Sequence, residues 1–260
     1  MNLANVQRDP GLEARLASHL AHSRIGHPLY TYTQVSSTMD IAHELAAQEA
    51  PEGTLVWSSR QEQGRGRLGR TWESPQGGVY LSLILRPTRS LTDIPQLSLV
   101  AGLSSVEAIQ TLTQHFPSIR WPNDVLIDGR KVAGILVEAK AGVAIVGIGI
   151  NVTTQPRDLP ETATSLAAVG ANAPDVYHLT GLLCQRFEVW YDAWTTQGFA
   201  PIRDALRPWM GLFGQVVHVT AGTAKFEGTA QDLDEHGRLV VRLDSGVLRA
   251  FEVGEVTLLR

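Results

Sequence analysis

An α+β architecture is expected from this sequence: a mixed β-sheet covered by helices, then a small antiparallel β-barrel. Three features point that way. Apolar residues recur at helical spacing in long stretches on both sides of a block of β-rich segments. That block ends in the near-continuous apolar run Val143–Ile150, which reads as a strand. After Gly211 the texture changes to short alternating segments separated by turns, so residues 1–211 and 212–260 are expected to form two domains.

In chain order, residues 10–22 carry Leu12, Leu16 and Leu20 at helical spacing, and an extended stretch follows near Tyr30–Val35. Ser37-Thr-Met-Asp40 has the form of a capping sequence and opens a helix bearing Ile41 and Leu45, which the Pro51-Glu-Gly53 turn ends. Thr54–Ser59 and Val79–Leu85 have strand composition, so the Gly/Arg-rich segment between them joins two strands. Leu99, Leu103, Val106 and Ile109 place a central buried helix in Pro95–Gln114. Val125–Ile127 and Val132–Val137 flank the turn Asp128-Gly129-Arg130-Lys131 as a hairpin. Residues 154–174, rich in Pro, Thr and Ala, read as a long surface connection with room for a short helix. Leu179, Leu183, Phe187, Trp190 and Trp194 mark a long amphipathic helix, and a shorter one lies near Ile202–Trp209. The barrel strands are Val216–Thr220, Lys225–Ala230, Leu239–Leu243 and Val247–Phe251.

With 260 residues, 43% apolar and 18% charged, the chain has an ordinary globular composition. A formal charge of −4 argues against a broad nucleic-acid or anionic-membrane surface, so any anion site is local. No apolar run reaches the roughly 20 residues needed to span a bilayer, and Met1–Pro10 lacks the apolar core of a secretion signal, so a cytoplasmic protein is expected. Cys184 stands alone, which excludes a disulfide framework and a cysteine-rich metal site; it reads as a small buried side chain. The histidines show no metal-binding spacing. About 35 residues precede Ser36, too few for a winged DNA-reading domain of roughly 60.

Gly64-Arg-Gly-Arg-Leu-Gly-Arg70 packs three glycines and three arginines into seven residues, offering backbone N–H groups and guanidinium forks to a phosphate or carboxylate. Gly64, Gly66 and Gly69 match the dinucleotide fingerprint letter for letter, but the fingerprint needs a helix opening within the glycines, and here a strand follows. In Arg120-Trp-Pro-Asn-Asp124, Pro122 rigidifies a turn, Asn123 can read an amide or purine edge, and Asp124 can orient a lysine or hold Mg²⁺. Lys131-Val-Ala-Gly134 puts a lysine at a strand start, across the hairpin from Asp124, where it can hold a carboxylate or phosphate as a point charge. Gly147-Ile-Gly-Ile-Asn151 can form a floor for a flat ligand, or simply a packed strand. No nucleophile elbow is present, so covalent catalysis by a side chain is not indicated.

With Ser36-Ser-Thr38, the Gly64–Arg70 loop, Arg120–Asp124, Lys131-Val-Ala-Gly-Ile-Leu136 and Gly147–Asn151 in this order, residues 30–260 resemble biotin–protein ligase (biotin–[acetyl-CoA-carboxylase] ligase), of the kind without an N-terminal DNA-binding domain. The resemblance implies a class II synthetase-like catalytic domain with a C-terminal SH3-like barrel. It also implies ATP, Mg²⁺ and biotin as reactants, biotinyl-5′-AMP as intermediate, and a lysine of a biotin carboxyl carrier protein as acceptor, such as the acetyl-CoA carboxylase subunit.

For biotin, the implied contacts are Ser37, Thr38, Met39, Gln61, Arg65, Gly66, Arg67, Lys131, Gly134 and Gly147. For ATP they are Arg67, Arg70, Trp72, Asn123, Asp124, Lys131 and Asn151. Lys131, Arg65 and Arg67 are the implied catalytic residues, and the glycine loop is an implied mobile lid over the adenylate. Asn123, Asp124 and Asn151 are implied to serve the nucleotide, the metal and the orientation of the lysine, with no particular metal ligand assigned; no DNA or membrane contact is implied, and association into a homodimer through sheet edges is open to such a chain. Arg120 and Met39 depart from the family's common Lys and Asn: Arg120 keeps the charge with a different geometry, and Met39 offers only backbone or packing. The rivals are a lipoate–protein ligase on the same kind of sheet and a non-catalytic RNA binder built on the Arg/Gly loop.

Overall fold

Local signals start the chain as expected. The Asp9 carboxylate accepts from the backbone N–H of Gly11 and Leu12, capping helix α1 (Pro10–Leu20), and Leu16 and Leu20 are fully buried beneath it. The computed structural model describes residues 7–170, 172, 174–252 and 254–258. Residues 1–6 of the stretch read for a secretion signal lie outside them.

Strand β1 (Leu29–Tyr32), helix α2 (Thr38–Ala47), β2 (Leu55–Ser58) and β3 (Gly78–Leu85) come next, then helix α3 (Leu97–Thr113). Strands β4 (Ser118–Arg120), β5 (Asp124–Ile127), β6 (Arg130–Lys140) and β7 (Val143–Asn151) complete a seven-stranded sheet of order β1-β2-β3-β7-β6-β5-β4. Only β1 and β2 pair in parallel, so the sheet is mixed as the sequence implied. The Asp128-Gly129 turn is shorter than expected: both residues have positive φ, and Arg130 and Lys131 already belong to β6. The three residues of β4 were not foreseen, because so short a strand leaves no alternation to read.

Helices α1 and α3, with α4 (Val176–Gln197) and the short α5 (Ala200–Leu206), cover one face of the sheet over a large core that includes Trp57, Phe187 and Trp194. Helix α2 covers the other face with a smaller cluster of Met39, Ile41, Leu45, Val56, Ile84 and Ile145. Being a single short helix, α2 covers only part of that face, and the remainder is where the polar motifs gather. The 154–174 connection holds one 3₁₀ turn (Pro156–Asp158) and is not merely superficial. Thr154, Thr164, Ser165 and Leu166 are buried, and Thr164 bonds across to the backbone of Lys131.

The C-terminal sheet comprises β8 (Val216–Ala221), β9 (Ala224–Leu233), β10 (Leu239–Leu243), β11 (Leu248–Phe251) and β12 (Glu255–Leu258), all antiparallel in the order β11-β10-β9-β8-β12. The sequence reading missed β12. The Trp121 indole, 2% exposed, donates to the Gly237 carbonyl at 3.0 Å, so the Arg120–Asp124 segment also joins the two sheets. Among the described residues no helix is long and apolar enough to cross a membrane.

Cys184 is buried in α4, and burial pushes its thiol up to about 12. A disulfide reagent such as DTNB is therefore expected to modify the native protein roughly 100-fold more slowly than the unfolded chain. Rapid stoichiometric labelling of the folded protein would contradict this burial.

Candidate active site

The site begins at the N-terminus of α2. Ser37 caps the helix by accepting from Met39 N–H, and the next free backbone donor, Thr38 N–H, reaches the Gln61 side-chain oxygen at 2.8 Å. Gln61 in turn donates to Ser74, and the Thr38 hydroxyl accepts from Ser82. This network fixes a polar end for the cavity next to the helix. Residues 147, 149 and 151 alternate onto the same face of β7, so Gly147 and Gly149 leave a trough in the sheet. A β-carbon at Gly147 would lie 2.7 Å from the Met39 sulfur. Met39 therefore packs directly on the sheet, as its apolar side chain dictates.

Trp72 fills the next part of the trough. Gly134 of β6 and Gly149 of β7 are paired, and a β-carbon on either would meet the indole, at 3.0 and 2.5 Å respectively. The indole nitrogen is buried without a hydrogen-bond partner among the described residues, so a donor is held ready inside the cavity. With the indole in place the cavity retains about 50 Å³ of free volume, between Ser37, Thr38, Met39 and Gln61 at one end and Asn123 and Lys131 at the other.

Lys131 closes the cavity. Its Nζ lies 2.6 Å from Asp124 Oδ1 and 5.0 Å from the Trp72 ring centre, and the same carboxylate binds Arg120 through Oδ2 at 2.6 Å. Asp124 can do this because it sits opposite Gly134 in the β5–β6 pairing, where the missing side chain lets the lysine fold back over its own strand. Asp124 was open to two readings, lysine orienter or metal ligand. Each of its oxygens faces a cation, the arrangement that orienting a lysine requires.

The glycine–arginine loop joins β2 to β3 without forming an α-helix, which removes the dinucleotide reading. Its base is closed by Trp72 N–H to Gly64 O and Gly66 N–H to Arg70 O, and Gly64 is obligatory because a β-carbon would lie 2.3 Å from the Trp72 carbonyl. Its tip is a 3₁₀ turn (Arg67–Gly69) with Leu68 in the left-handed region. Arg65 reaches Glu138 at 3.1 Å and Asp40 at 3.3 Å. Arg67 donates to Asn123 Oδ1 at 2.8 Å, while Asn123 Nδ2 donates to the Ile135 carbonyl.

Of the expected residues, Ser37, Thr38, Met39, Gln61, Arg65, Gly66, Arg67, Lys131, Gly134 and Gly147 all line this cavity. Arg67, Arg70, Trp72, Asn123, Asp124 and Lys131 line a second cavity of about 280 Å³ that adjoins it. Asn151 lines neither; it is buried and donates to the Thr164 carbonyl. Gly149, expected in the floor formed by Gly147–Asn151 but not singled out as a contact, also lines the first cavity. The sequence carries no signal for the contribution of Gly254, Val256 and Thr257, which bring the C-terminal sheet to the second cavity. A larger cleft of about 740 Å³ between the two sheets has Arg67 at one end but lacks Lys131 and Asp124.

Two adjoining cavities share Arg67, Trp72, Asn123 and Lys131, one with a polar amide–hydroxyl end and the other ringed by Arg67, Arg70, Arg120 and Lys131. This arrangement can hold a carboxylic acid and a polyphosphate with their anionic groups beside one lysine, the requirement for activating a carboxylate. Comparison with known proteins agrees with that class. Residues 30–154 match the biotin/lipoate A/B protein ligase family and residues 212–259 the biotin protein ligase C-terminal domain. The chain is 37% identical over 253 residues to the bifunctional ligase/repressor BirA of Bacillus subtilis, covering 92% of this chain and 77% of that protein. It is 35% identical over 214 residues to the biotin–[acetyl-CoA-carboxylase] ligase of Paracoccus denitrificans, covering 76% and 89%. The structure of the Aquifex aeolicus biotin protein ligase in complex with biotin and ATP superposes with a TM-score of 0.78 at 32% identity, covering 88% of this chain and 97% of that one. The chain belongs to the biotin–protein ligase family.

Because the indole rests on Gly149, Gly149→Ala is expected to expel Trp72 from the trough. With the loop free to move, the change should lower Tm by only a few degrees, well below the cost of overpacking a rigid core. Acrylamide quenching of tryptophan fluorescence should rise, and a Trp72→Phe background should show no such rise. Unchanged quenching would mean the indole does not occupy the trough.

Proposed function

We propose that this chain performs ATP-dependent biotin–protein ligation with the first cavity as the biotin site and the second as the nucleotide site. The observation that carries the assignment is Lys131 at the junction of the two, held there by Asp124. The polar end formed by Ser37, Thr38 and Gln61 receives the biotin head, Met39 and Gly147 pack against it, and the carboxylate points towards Arg65, Arg67 and Lys131. ATP enters beside Arg67, Arg70, Trp72 and Asn123, and Asn151 anchors the 154–174 connection at the end of β7 through the Thr164 carbonyl.

In the first half-reaction a biotin carboxylate oxygen attacks the α-phosphorus of ATP and pyrophosphate departs. Negative charge grows on the non-bridging phosphate oxygens, and Lys131 stabilises it as a fixed point charge without giving up its proton. In the second, the amine of a carrier lysine attacks the acyl carbon and AMP leaves. Asp124 holds both Lys131 and Arg120, so these cations are positioned by the fold itself, which lowers the reorganisation needed at the moment of reaction.

Among the described residues no group of three or more His, Cys, Asp or Glu is placed to hold a metal ion, and Asp124 is engaged by two cations. Mg²⁺ belongs to this reaction as part of the substrate MgATP, carried by the phosphates. The acceptor is a biotin carboxyl carrier protein of the acetyl-CoA carboxylase type, and the ATP requirement suits a cytoplasmic enzyme. A homodimer joined through sheet edges is compatible with this site.

Incubating the protein with MgATP and either biotin or lipoate, and following pyrophosphate release, tests the assignment. Release with biotin and none with lipoate is expected; release with lipoate alone would move the protein to the lipoate branch of the family, and none with either would sink the ligase reading.

A further inference from the structure

Asp124, Asp40 and Glu138 all face cations of this site, and the last two have no part in the scheme above. Asp124 serves Lys131. Asp40, in the first turn of α2, and Glu138, near the end of β6, line none of the three cavities, yet both reach Arg65. Glu138 Oε2 also holds His43 Nε2 at 2.6 Å, so groups from α2, β6 and the loop converge on one carboxylate.

The two anchors differ in kind from the loop they hold. Glu138 is fixed opposite Ile145 in the β6–β7 pairing, and Asp40 is fixed by the helix that caps the biotin end of the cavity. The loop's own hydrogen bonds, Gly66 to Arg70 and Trp72 to Gly64, preserve its shape but tie it only to itself. Arg65 ties it through a guanidinium to two carboxylates on rigid elements, a charge-assisted type of link. Both Arg65 contacts run through Nη2, so donors on Nε and Nη1 remain for a substrate carboxylate while the guanidinium stays seated.

We infer that Glu138, with Asp40 beside it, is a positioning residue that latches the glycine–arginine loop over the cavity and thereby sets how long the acyl-adenylate stays bound. The inference rests on the ligase reading above, because it requires that an acyl-adenylate forms. Such an intermediate is an activated acid that hydrolyses or acylates stray amines if it escapes, so its retention until the carrier arrives determines the yield of the second half-reaction. Neither carboxylate touches the reacting groups. Their removal should affect escape and leave bond formation nearly unchanged.

The test loads the full-length enzyme with labelled biotin and MgATP, removes free ligand, and follows loss of bound label during a chase with unlabelled biotin. Glu138→Gln, Asp40→Asn and the double variant are compared with wild type, with first-turnover pyrophosphate release measured in parallel. The double variant should lose adenylate about tenfold faster, the effect expected for a charge-assisted contact that is one-third exposed. Its pyrophosphate burst should stay within about threefold of wild type, since a group acting through loop position does not enter the chemical step. In an Arg65→Ala background, Glu138→Gln should add nothing. Equal retention by the variants, or an equal further acceleration in the Arg65→Ala background, would overturn the latch; if Glu138→Gln does not fold, Asp40→Asn carries the same comparison. Wild-type enzyme that forms no adenylate would defeat the ligase reading and the latch together, whereas wild type that forms and holds it alongside variants that hold it equally well would defeat the latch alone.

Discussion

A single carboxylate organises this site. Asp124 binds Arg120 with one oxygen and Lys131 with the other, and its exposure of 13% places that exchange out of bulk water, where a misplaced charge is costly. Break it and two cations are left to find other partners. Its position follows from backbone: β5 starts at Asp124, pairs with β4 on one side and β6 on the other, and places the carboxylate opposite Gly134. The lysine reaches it only because Gly134 offers no side chain. Trp121 and the Gly237 carbonyl then tie the same segment to the C-terminal sheet, which also forms one wall of the second cavity.

The rest of the site is shaped by what is missing. Gly134, Gly147 and Gly149 remove three side chains from a sheet face that α2 leaves partly uncovered, and Met39, Trp72 and the stem of Lys131 occupy the space. Two of these three fillers belong to elements that also contribute polar groups, α2 with its capping network and the loop with its arginines. Access to the trough is therefore coupled to movement of the indole, and the loop that carries Trp72 also carries the residues proposed to grip the anions.

Much of this was legible in the sequence, for local reasons. The Ser37 cap, the strand-to-strand setting of the Gly/Arg loop, the Asp128-Gly129 hairpin and the Lys131–Gly134 spacing each depend on neighbours within a few residues, where periodicity and turn chemistry apply. What stayed hidden depends on distance along the chain. Arg65 meets Glu138 across 73 positions, and the resting place of Trp72 depends on two strands pairing their glycines. Asn151 was expected at the ligand from its place in a motif, yet the 154–174 connection turns inward and takes its side chain. Strands β4 and β12 escaped because three or four residues at a sheet edge show too little alternation.

If Asp124 is the group that holds the lysine in register, its neutralisation should damage chemistry far more than binding. The direct measurement is single-turnover pyrophosphate release by Asp124→Asn at saturating biotin and MgATP, beside biotin affinity measured without nucleotide. A fall of roughly 100-fold in the rate, with affinity within about fivefold of wild type, is the result expected when a transition-state contact is lost and the ground-state pocket survives. Release at the wild-type rate would show that Lys131 finds its place without Asp124, and would contradict the central role given to that carboxylate.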